Sequence, residues 1–196
     1  MKKLMVLILA LTASTAGCTK HLIESMNKDT HLGVFQEYSS HNKIPPGYAE
    51  LTIIASLKTP ELGRFADGSK VRGTPDYMLL INIDGQRTLV KGDLRKEISD
   101  PKGLDDTEAG EGIRYLFNKE LLLKPGDHKL FVALPEDNIA MERELTLTEG
   151  SRNVLHIYPI YGFSEPGGTP GHGLFSSSSF MNGITGFWVY LYGHEI

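Results

Sequence analysis

The pattern that decides the fold lies in residues 121–134, which read LLLKPGDHKLFVAL. Two short apolar runs flank Lys124-Pro125-Gly126-Asp127, in which Pro and Gly occupy the central positions of a type II turn. Apolar runs of this length between turn residues are typical of β-strands. We therefore predict a β-hairpin here, with the chain returning through residues 129–134.

The same pattern extends in both directions along the chain. Residues 51–57 and 76–83 show a period-two pattern, which places Leu79, Ile81 and Ile83 on one face of the second strand. Asp84-Gly85 supplies the positive φ angles of a two-residue type I′ hairpin. Residues 59–75 and the acidic stretch 92–112 indicate loops. Further strands are predicted at 113–123, 142–148, 153–161 and 183–192, with a hairpin about 149–151. Because no long segment has helical periodicity, the sequence predicts an all-β chain, a single antiparallel β-sandwich.

The order of these hairpins resembles a known class of bacterial surface module. In PEGA-type and related prealbumin-like or immunoglobulin-like modules, a strand with a D-G turn precedes a "PG-x-H-x-L" hairpin. The resemblance covers about residues 49–161 and implies a β-sandwich. It is carried by Asp84, Gly85, Pro125, Gly126, His128 and Leu130.

The amino terminus has the order of a secretory signal peptide. Lys2 and Lys3 precede an unbroken apolar run over residues 4–11, and small residues fill 12–17. The apolar run is too short to span a bilayer, which needs about 20 residues. A signal peptide over residues 1–17 is therefore predicted.

The residues Thr15-Ala16-Gly17-Cys18 resemble the lipobox of bacterial lipoproteins. The resemblance implies cleavage before Cys18, lipid on its thiol and acylation of its new amine. Thr19 after the cysteine implies, by the same resemblance, the outer membrane. Cys18 is the only cysteine, and lipidation would account for its unpaired thiol.

The predicted division of the chain follows from these features. Residues 1–17 are the signal peptide, 18–46 a lipidated tether that includes a short helix within 31–38, and 47–196 the β-domain. Pro45-Pro46-Gly47 ends the tether, because tandem proline and glycine stop regular structure. The net charge of −4 becomes about −6 once Lys2 and Lys3 are removed, so lipid and not a polybasic patch must supply the anchor. Nucleic acid is not an expected partner.

No catalytic constellation, metal site or cofactor site is predicted. The serine run 176–179 with His172 lacks the ordered base and acid that a nucleophilic serine needs. Carboxylates at 105, 106, 108 and 111 raise the alternative of calcium, but they do not follow the EF-hand order and indicate a solvated acidic loop.

The carboxyl-terminal segment has a different composition from the rest. Residues 153–196 contain two charged side chains, Glu165 and Glu195, whereas nine of the seventeen Phe, Trp and Tyr lie between Tyr158 and Tyr192. Two interpretations stay open: these aromatic residues fill the core, or some are exposed and form a contact surface. The candidates for a partner or ligand surface are Trp188, Tyr190, Tyr192, Phe175 and Phe180.

The sequence thus predicts a non-enzymatic lipoprotein of the cell envelope with an accessory structural or protein-interaction role. The alternative is a module that binds a glycan or another ligand through the aromatic carboxyl-terminal region.

Overall fold

The computed structural model describes residues 15–38, 43–61, 71–103, 106–163 and 178–196. These residues are mostly β, as predicted. The elements are α1 (Thr15–Met26), β1 (Phe35–Glu37), β2 (Ala49–Thr59), β3 (Met78–Ile83), β4 (Gln86–Lys91), β5 (Asp93–Ser99), β6 (Gly110–Leu123), β7 (Gly126–Leu134), β8 (Ile139–Leu147), β9 (Arg152–Tyr161), β10 (Ile184–Leu191) and β11 (His194–Glu195). Single 3₁₀ turns lie at Pro135–Asp137 and Phe180–Asn182.

The strands form two sheets. The large sheet has the order β1-β6-β2-β9-β10-β11, and β5 also pairs with β6. The small sheet has the order β4-β3-β7-β8. The β2–β9 pair is parallel, whereas the other strand pairs in both sheets are antiparallel. The large sheet is therefore mixed and not purely antiparallel as predicted.

One apolar core joins the inner faces of the two sheets. Alternate residues of β2, β9 and β10 are buried together with alternate residues of β3 and β7. The large sheet contributes, among others, Leu51, Ile53, Ile157 and Val189, and the small sheet contributes Leu79, Ile81, Leu130 and Val132. The period-two pattern of the sequence thus places these residues on one side of each strand.

The Asp84-Gly85 hairpin is confirmed. Both residues have positive φ, 47° and 91°, and they join β3 to β4 with Ile83 opposite Gln86. This is the two-residue type I′ geometry that the right-handed strand twist favours.

Two predicted hairpins are wrong. The turn at Lys124-Pro125 does not pair β6 with β7; it carries the chain from the large sheet to the small one, where β7 pairs with β3 and β8. The turn at 149–151 likewise connects β8 of the small sheet to β9 of the large sheet. Proline and glycine specify a change of direction in both cases, but the neighbours that complete the ladders are distant in sequence.

The predicted acidic loop 92–112 is also partly strand. β5 and the start of β6 pair through it, with Lys96 opposite Ile113 and Ser99 opposite Gly110. The backbone hydrogen bonds of a strand form whether its side chains are charged or apolar, and charged residues are common on edge strands.

The described part of the predicted tether, residues 19–38, packs on the domain. Ile23 of α1 is buried against Leu80, Phe131 and Ala133 on the outer face of the small sheet. Residues 27–31 then bond to the β3–β4 hairpin, with the Thr30 amide donating to the Gly85 carbonyl at 2.8 Å. In place of the predicted short helix within 31–38, β1 pairs with the end of β6. A single buried isoleucine in a polar segment gave no periodic signal of this docking.

Candidate functional site

Four ring side chains line the outer surface of β9 and β10. Tyr158 lies opposite Trp188, and His156 lies opposite Tyr190, so the four form a block on two adjacent strands. Tyr158 is 48% exposed and Trp188 is 47% exposed, whereas His156 and Tyr190 are half-buried. We call these four residues the aromatic face.

The alternation of β10 explains why the aromatic face points outward. Phe187, Val189 and Leu191 are buried in the core, so the residues between them must project from the other side of the sheet. Both sides of β10 therefore carry large apolar or aromatic residues. Of the two interpretations left open by the sequence, core filling applies to Phe187 and exposure applies to Trp188.

Three of the four rings, those of His156, Tyr158 and Tyr190, contact one another. His156 and Tyr158 stack with centroids 5.9 Å apart and an interplanar angle of 12°, and Tyr158 meets Tyr190 edge-on at 5.7 Å. Aromatic pairs favour offset-stacked and edge-to-face arrangements at these separations. A surface ordered in this way loses less side-chain entropy when a partner covers it.

Tyr192 lies at the end of β10 and is held by a different contact. Tyr192 and Gly193 form a two-residue turn with φ of 53° and 79°, which places Leu191 opposite His194 in β11. A bulky residue at positive φ is strained. The Tyr192 hydroxyl donates to the buried Asn153 side chain, which fixes its position, while the residue stays 54% exposed.

One of the five predicted surface residues, Phe180, does not belong to this surface. Phe180 is buried, because the 3₁₀ turn that it begins inserts its ring into the core. It lies 4.9 Å from the Lys58 Nζ atom, measured to the ring centroid. Phe175 lies outside the described residues. Tyr158 and His156 were missed, although their period-two spacing in β9 is the signal that could have identified them.

The flanking strand gives the aromatic face a polar border. On the outer side of β2, Thr52, Ile54 and Ser56 are half-buried, and Ile54 lies beside His156 in the parallel register. Covering the exposed halves of Trp188 and Tyr158, roughly 200 Å² together, would contribute about 5 kcal/mol before the costs of association. Such a surface suits contact with a flat or extended partner.

A second cluster of functional groups lies where β2, β5, β6 and β9 meet. We call Lys58, Glu97, Glu108, Arg114 and Tyr161 the polar cluster. The fully buried Lys58 donates from Nζ to Ser99 Oγ and to the carbonyls of Glu108 and Gly110, at 2.7–2.9 Å. Arg114 donates to Glu97 Oε1 at 2.7 Å and to Glu108 Oε2 at 2.6 Å.

The charges of the polar cluster balance each other. Burial lowers the pKa of Lys58, against the opposing effect of the Glu97 carboxylate. The hydrogen bond from Arg114 lowers the pKa of Glu97. Burial raises the pKa of Tyr161, whose hydroxyl donates to Glu108 Oε1 at 2.6 Å. Since each of these groups has a partner within the cluster, the cluster links β2, β5, β6 and β9.

His128 also proves to be structural. It is buried, with Nδ1 2.7 Å from Asp84 Oδ2 and Nε2 2.8 Å from the Lys124 carbonyl. Asp84 also accepts from the Lys129 amide. These contacts tie the β3–β4 turn to the start of β7, beside a surface cavity of about 490 Å³.

The remaining hydroxyl and carboxylate candidates have structural partners where they are described. Ser178 donates to the Tyr161 carbonyl, and Ser179 caps the 3₁₀ turn by accepting from the Met181 amide. Asp106 accepts from the amides of Lys102 and Glu108 within its own turn. His172, Ser176, Ser177 and Asp105 lie outside the described residues.

Together these observations define a mostly β protein with an ordered aromatic face on the outer side of its mixed sheet. Comparison of the chain with known protein families, with curated proteins and with solved structures finds no match. Within the described ranges, no helix is both long and apolar enough to cross a membrane. In the same part of the chain, no three His, Cys, Asp or Glu side chains are grouped to hold a metal ion.

Proposed function

We propose that this protein is a non-enzymatic lipoprotein of the bacterial cell envelope, whose β-domain offers the aromatic face to a partner protein. The observation that carries the proposal is the half-exposed pair Trp188 and Tyr158 on an ordered strand pair. Exposed apolar patches of this kind mark interaction sites. Trp and Tyr are also the residues most enriched among those that dominate binding energy.

The anchor in this proposal is lipid on Cys18, and the outer membrane is the proposed site. The Cys18 sulfur would bond to the glyceryl carbon of a phospholipid, with loss of the thiol proton and departure of the phosphate head group. Hydrolysis of the Gly17–Cys18 peptide bond would then free an amine for acylation. More than one acyl chain is needed, because a single chain gives only marginal membrane binding.

Labelling with palmitate tests the anchor. The wild-type chain, expressed in a bacterium, should incorporate labelled palmitate, and the Cys18→Ser variant should not. Normal labelling of the Cys18→Ser variant would remove the basis for the lipoprotein assignment.

The domain itself we propose to be one β-sandwich of the PEGA-type or prealbumin-like kind. The shared core between the inner faces of the two sheets supports this. So does the contact between Asp84 and His128, since these are two of the six residues that carry the resemblance.

Crosslinking from the aromatic face tests the partner. A photo-crosslinking amino acid at Thr185, exposed on the aromatic side of β10, should trap a specific envelope protein, whereas the same group at Glu142, exposed on the outer side of the small sheet, should not. Trp188→Ala should weaken the trapped complex by at least about 2 kcal/mol, or roughly 30-fold. Equal yields from both positions would contradict the proposal.

A glycan ligand is the second candidate. It is favoured by the hydroxyl side chains of Thr52 and Ser56 on the outer side of the neighbouring strand β2, because sugars present apolar ring faces edged with hydroxyl groups. Trp188 is the only tryptophan of the chain, so its fluorescence reports on this surface directly. A saturable blue shift on addition of peptidoglycan fragments would favour the glycan, and an unchanged spectrum would count against it.

A further inference from the structure

The docked amino-terminal segment fixes how far the domain can move from its anchor. Cys18 lies in the first half of α1, and Ile23 follows it by five residues. Ile23 is buried on the outer face of the small sheet, against Leu80, Phe131 and Ala133. The chain between the lipid and this contact is therefore very short.

The contacts after Ile23 show that the segment is secured along its length. The Asn82 side chain donates to the Met26 carbonyl at 2.8 Å, and the Arg87 amide donates to Asp29 Oδ1 at 2.8 Å. The amides of Val34 and Phe35 both donate to the Gln86 side-chain oxygen. Residues 23–35, held at this many points, do not act as a free tether.

The distance between the lipid and the domain differs several-fold between a docked segment and a free tether. Five helical residues span about 7.5 Å, and the same five fully extended span at most about 17 Å. A free tether of 29 residues would instead have a root-mean-square length of about 30 Å and a far longer extended limit.

The outer face of the small sheet and the aromatic face lie on opposite sides of the domain. Leu80 and Phe131 project outward from strands whose alternate residues enter the core, and so do Trp188 and Tyr158 from the other sheet. Sheets stack about 10 Å apart and a helix is about 10 Å wide, so roughly 20 Å separates α1 from the aromatic face. A linker of five residues cannot carry the aromatic face around the domain to the lipid.

We propose that the mature protein lies close against the membrane with α1 and the outer face of the small sheet toward the lipid, and that the aromatic face points away from it. This inference rests on lipidation of Cys18. It excludes insertion of Trp188 and Tyr158 into the membrane interface, where tryptophan and tyrosine are enriched. The partner of the aromatic face must then approach from the side away from the anchoring leaflet.

Energy transfer to a membrane acceptor tests the orientation. The full-length lipidated protein is reconstituted into phosphatidylethanolamine and phosphatidylglycerol vesicles that carry a dansyl head-group acceptor. Wild-type protein reports through Trp188. The variant Leu89→Trp, Trp188→Phe reports from the outer face of the small sheet, where Leu89 pairs with Leu80 and is 38% exposed.

We expect strong transfer from the tryptophan at position 89 and weak transfer from Trp188. Stronger transfer from Trp188 would overturn the inference by placing the aromatic face on the lipid. Equal, weak transfer from both positions would overturn it in favour of a free tether. Failure of the wild-type protein to float with vesicles would overturn the anchoring itself, which distinguishes the two proposals.

Two further variants test whether the docking sets the distance. In the Leu89→Trp, Trp188→Phe background, Ile23→Ser should reduce transfer, whereas Leu22→Ser, on an exposed position of the same helix, should leave it unchanged. A ten-residue Gly/Ser insertion after Thr19 should reduce transfer without touching the domain. Unchanged transfer in the insertion variant would contradict a short linker.

Discussion

Replacement of Lys58 by Met tests whether the polar cluster behaves as one charge-balanced unit. The cluster holds two cations, Lys58 and Arg114, and two carboxylates, Glu97 and Glu108. Arg114 donates to Glu108 at 2.6 Å and to Glu97 at 2.7 Å, and Lys58 Nζ lies 3.7 Å from Glu97 Oε1. Met keeps the apolar stem of Lys58 but removes the ammonium group and its contact with the Phe180 ring. Two carboxylates would then share one guanidinium in a buried site.

The expected cost follows from that imbalance. Breaking one partner out of a buried ion pair destabilises a protein by about 3–5 kcal/mol. The side chains of Glu97 and Glu108 are 22% and 28% exposed, so water can partly solvate the excess charge and the loss should lie near the lower value. A loss of about 3 kcal/mol corresponds to a fall in Tm of roughly 6–12 °C for a chain of this size.

The double variant provides the decisive comparison. Glu97→Gln alone leaves an excess positive charge, but Lys58→Met with Glu97→Gln leaves Arg114 paired to Glu108. Urea unfolding of the mature chain carrying Cys18→Ser, followed by circular dichroism, should show the double variant at least about 1 kcal/mol more stable than the sum of the single losses. Losses that add within about 0.5 kcal/mol would refute the reasoning, because independent sites add in that way.

The other predictions concern acid stability, close packing and the two sides of β10. The hydrogen bond from Arg114 lowers the pKa of Glu97, so Glu97 stabilises the fold fully above its unfolded pKa of about 4.3 and loses that contribution as the pH falls through its folded pKa. In the Glu97→Gln variant, the urea midpoint should therefore depend less on pH in this acid range. Gly112→Ala should destabilise the fold, since a Cβ would lie 2.6 Å from the Thr59 carbonyl oxygen. Gly186→Ala should cost little, because its Cβ would meet the nearest atom at 3.5 Å. Equal urea midpoints for the two variants would contradict this. Phe187→Ala should cost about 3–5 kcal/mol, and Trp188→Ala about half as much because half of its surface is already exposed; a larger loss at Trp188 would show that it belongs to the core.

Local patterns predicted the strands well where the structure depends on neighbouring residues. The Asp84-Gly85 hairpin and the alternation of β10 are both determined within a few residues, so the sequence revealed them. The corners at Lys124-Pro125 and at 149–151 use the same turn residues as hairpins. Which sheet the next strand joins depends on partners far along the chain, and no local pattern encodes that choice.

The sequence predicted only part of the aromatic face, because only part of it is determined by local alternation. Alternation placed Trp188 and Tyr190 on one side of a strand, but it did not say which side faces the core. Phe180 was misplaced because a single ring after a serine run has no periodic context, and its burial depends on a 3₁₀ turn. Tyr158 and His156 join the surface only through the register between β9 and β10.

The outer face of the small sheet is covered by α1, whereas the aromatic face of the large sheet is partly exposed, and this difference argues for a function of the aromatic face. The apolar centre of the small sheet, Leu80, Phe131 and Ala133, is buried beneath Ile23 of α1. The fold therefore has the means to cover an outer apolar surface with one short helix. On the large sheet, Trp188 and Tyr158 remain about half exposed, although burying them would contribute several kcal/mol. An uncovered, ordered aromatic pair on the side away from the proposed anchor is what a surface for a partner requires.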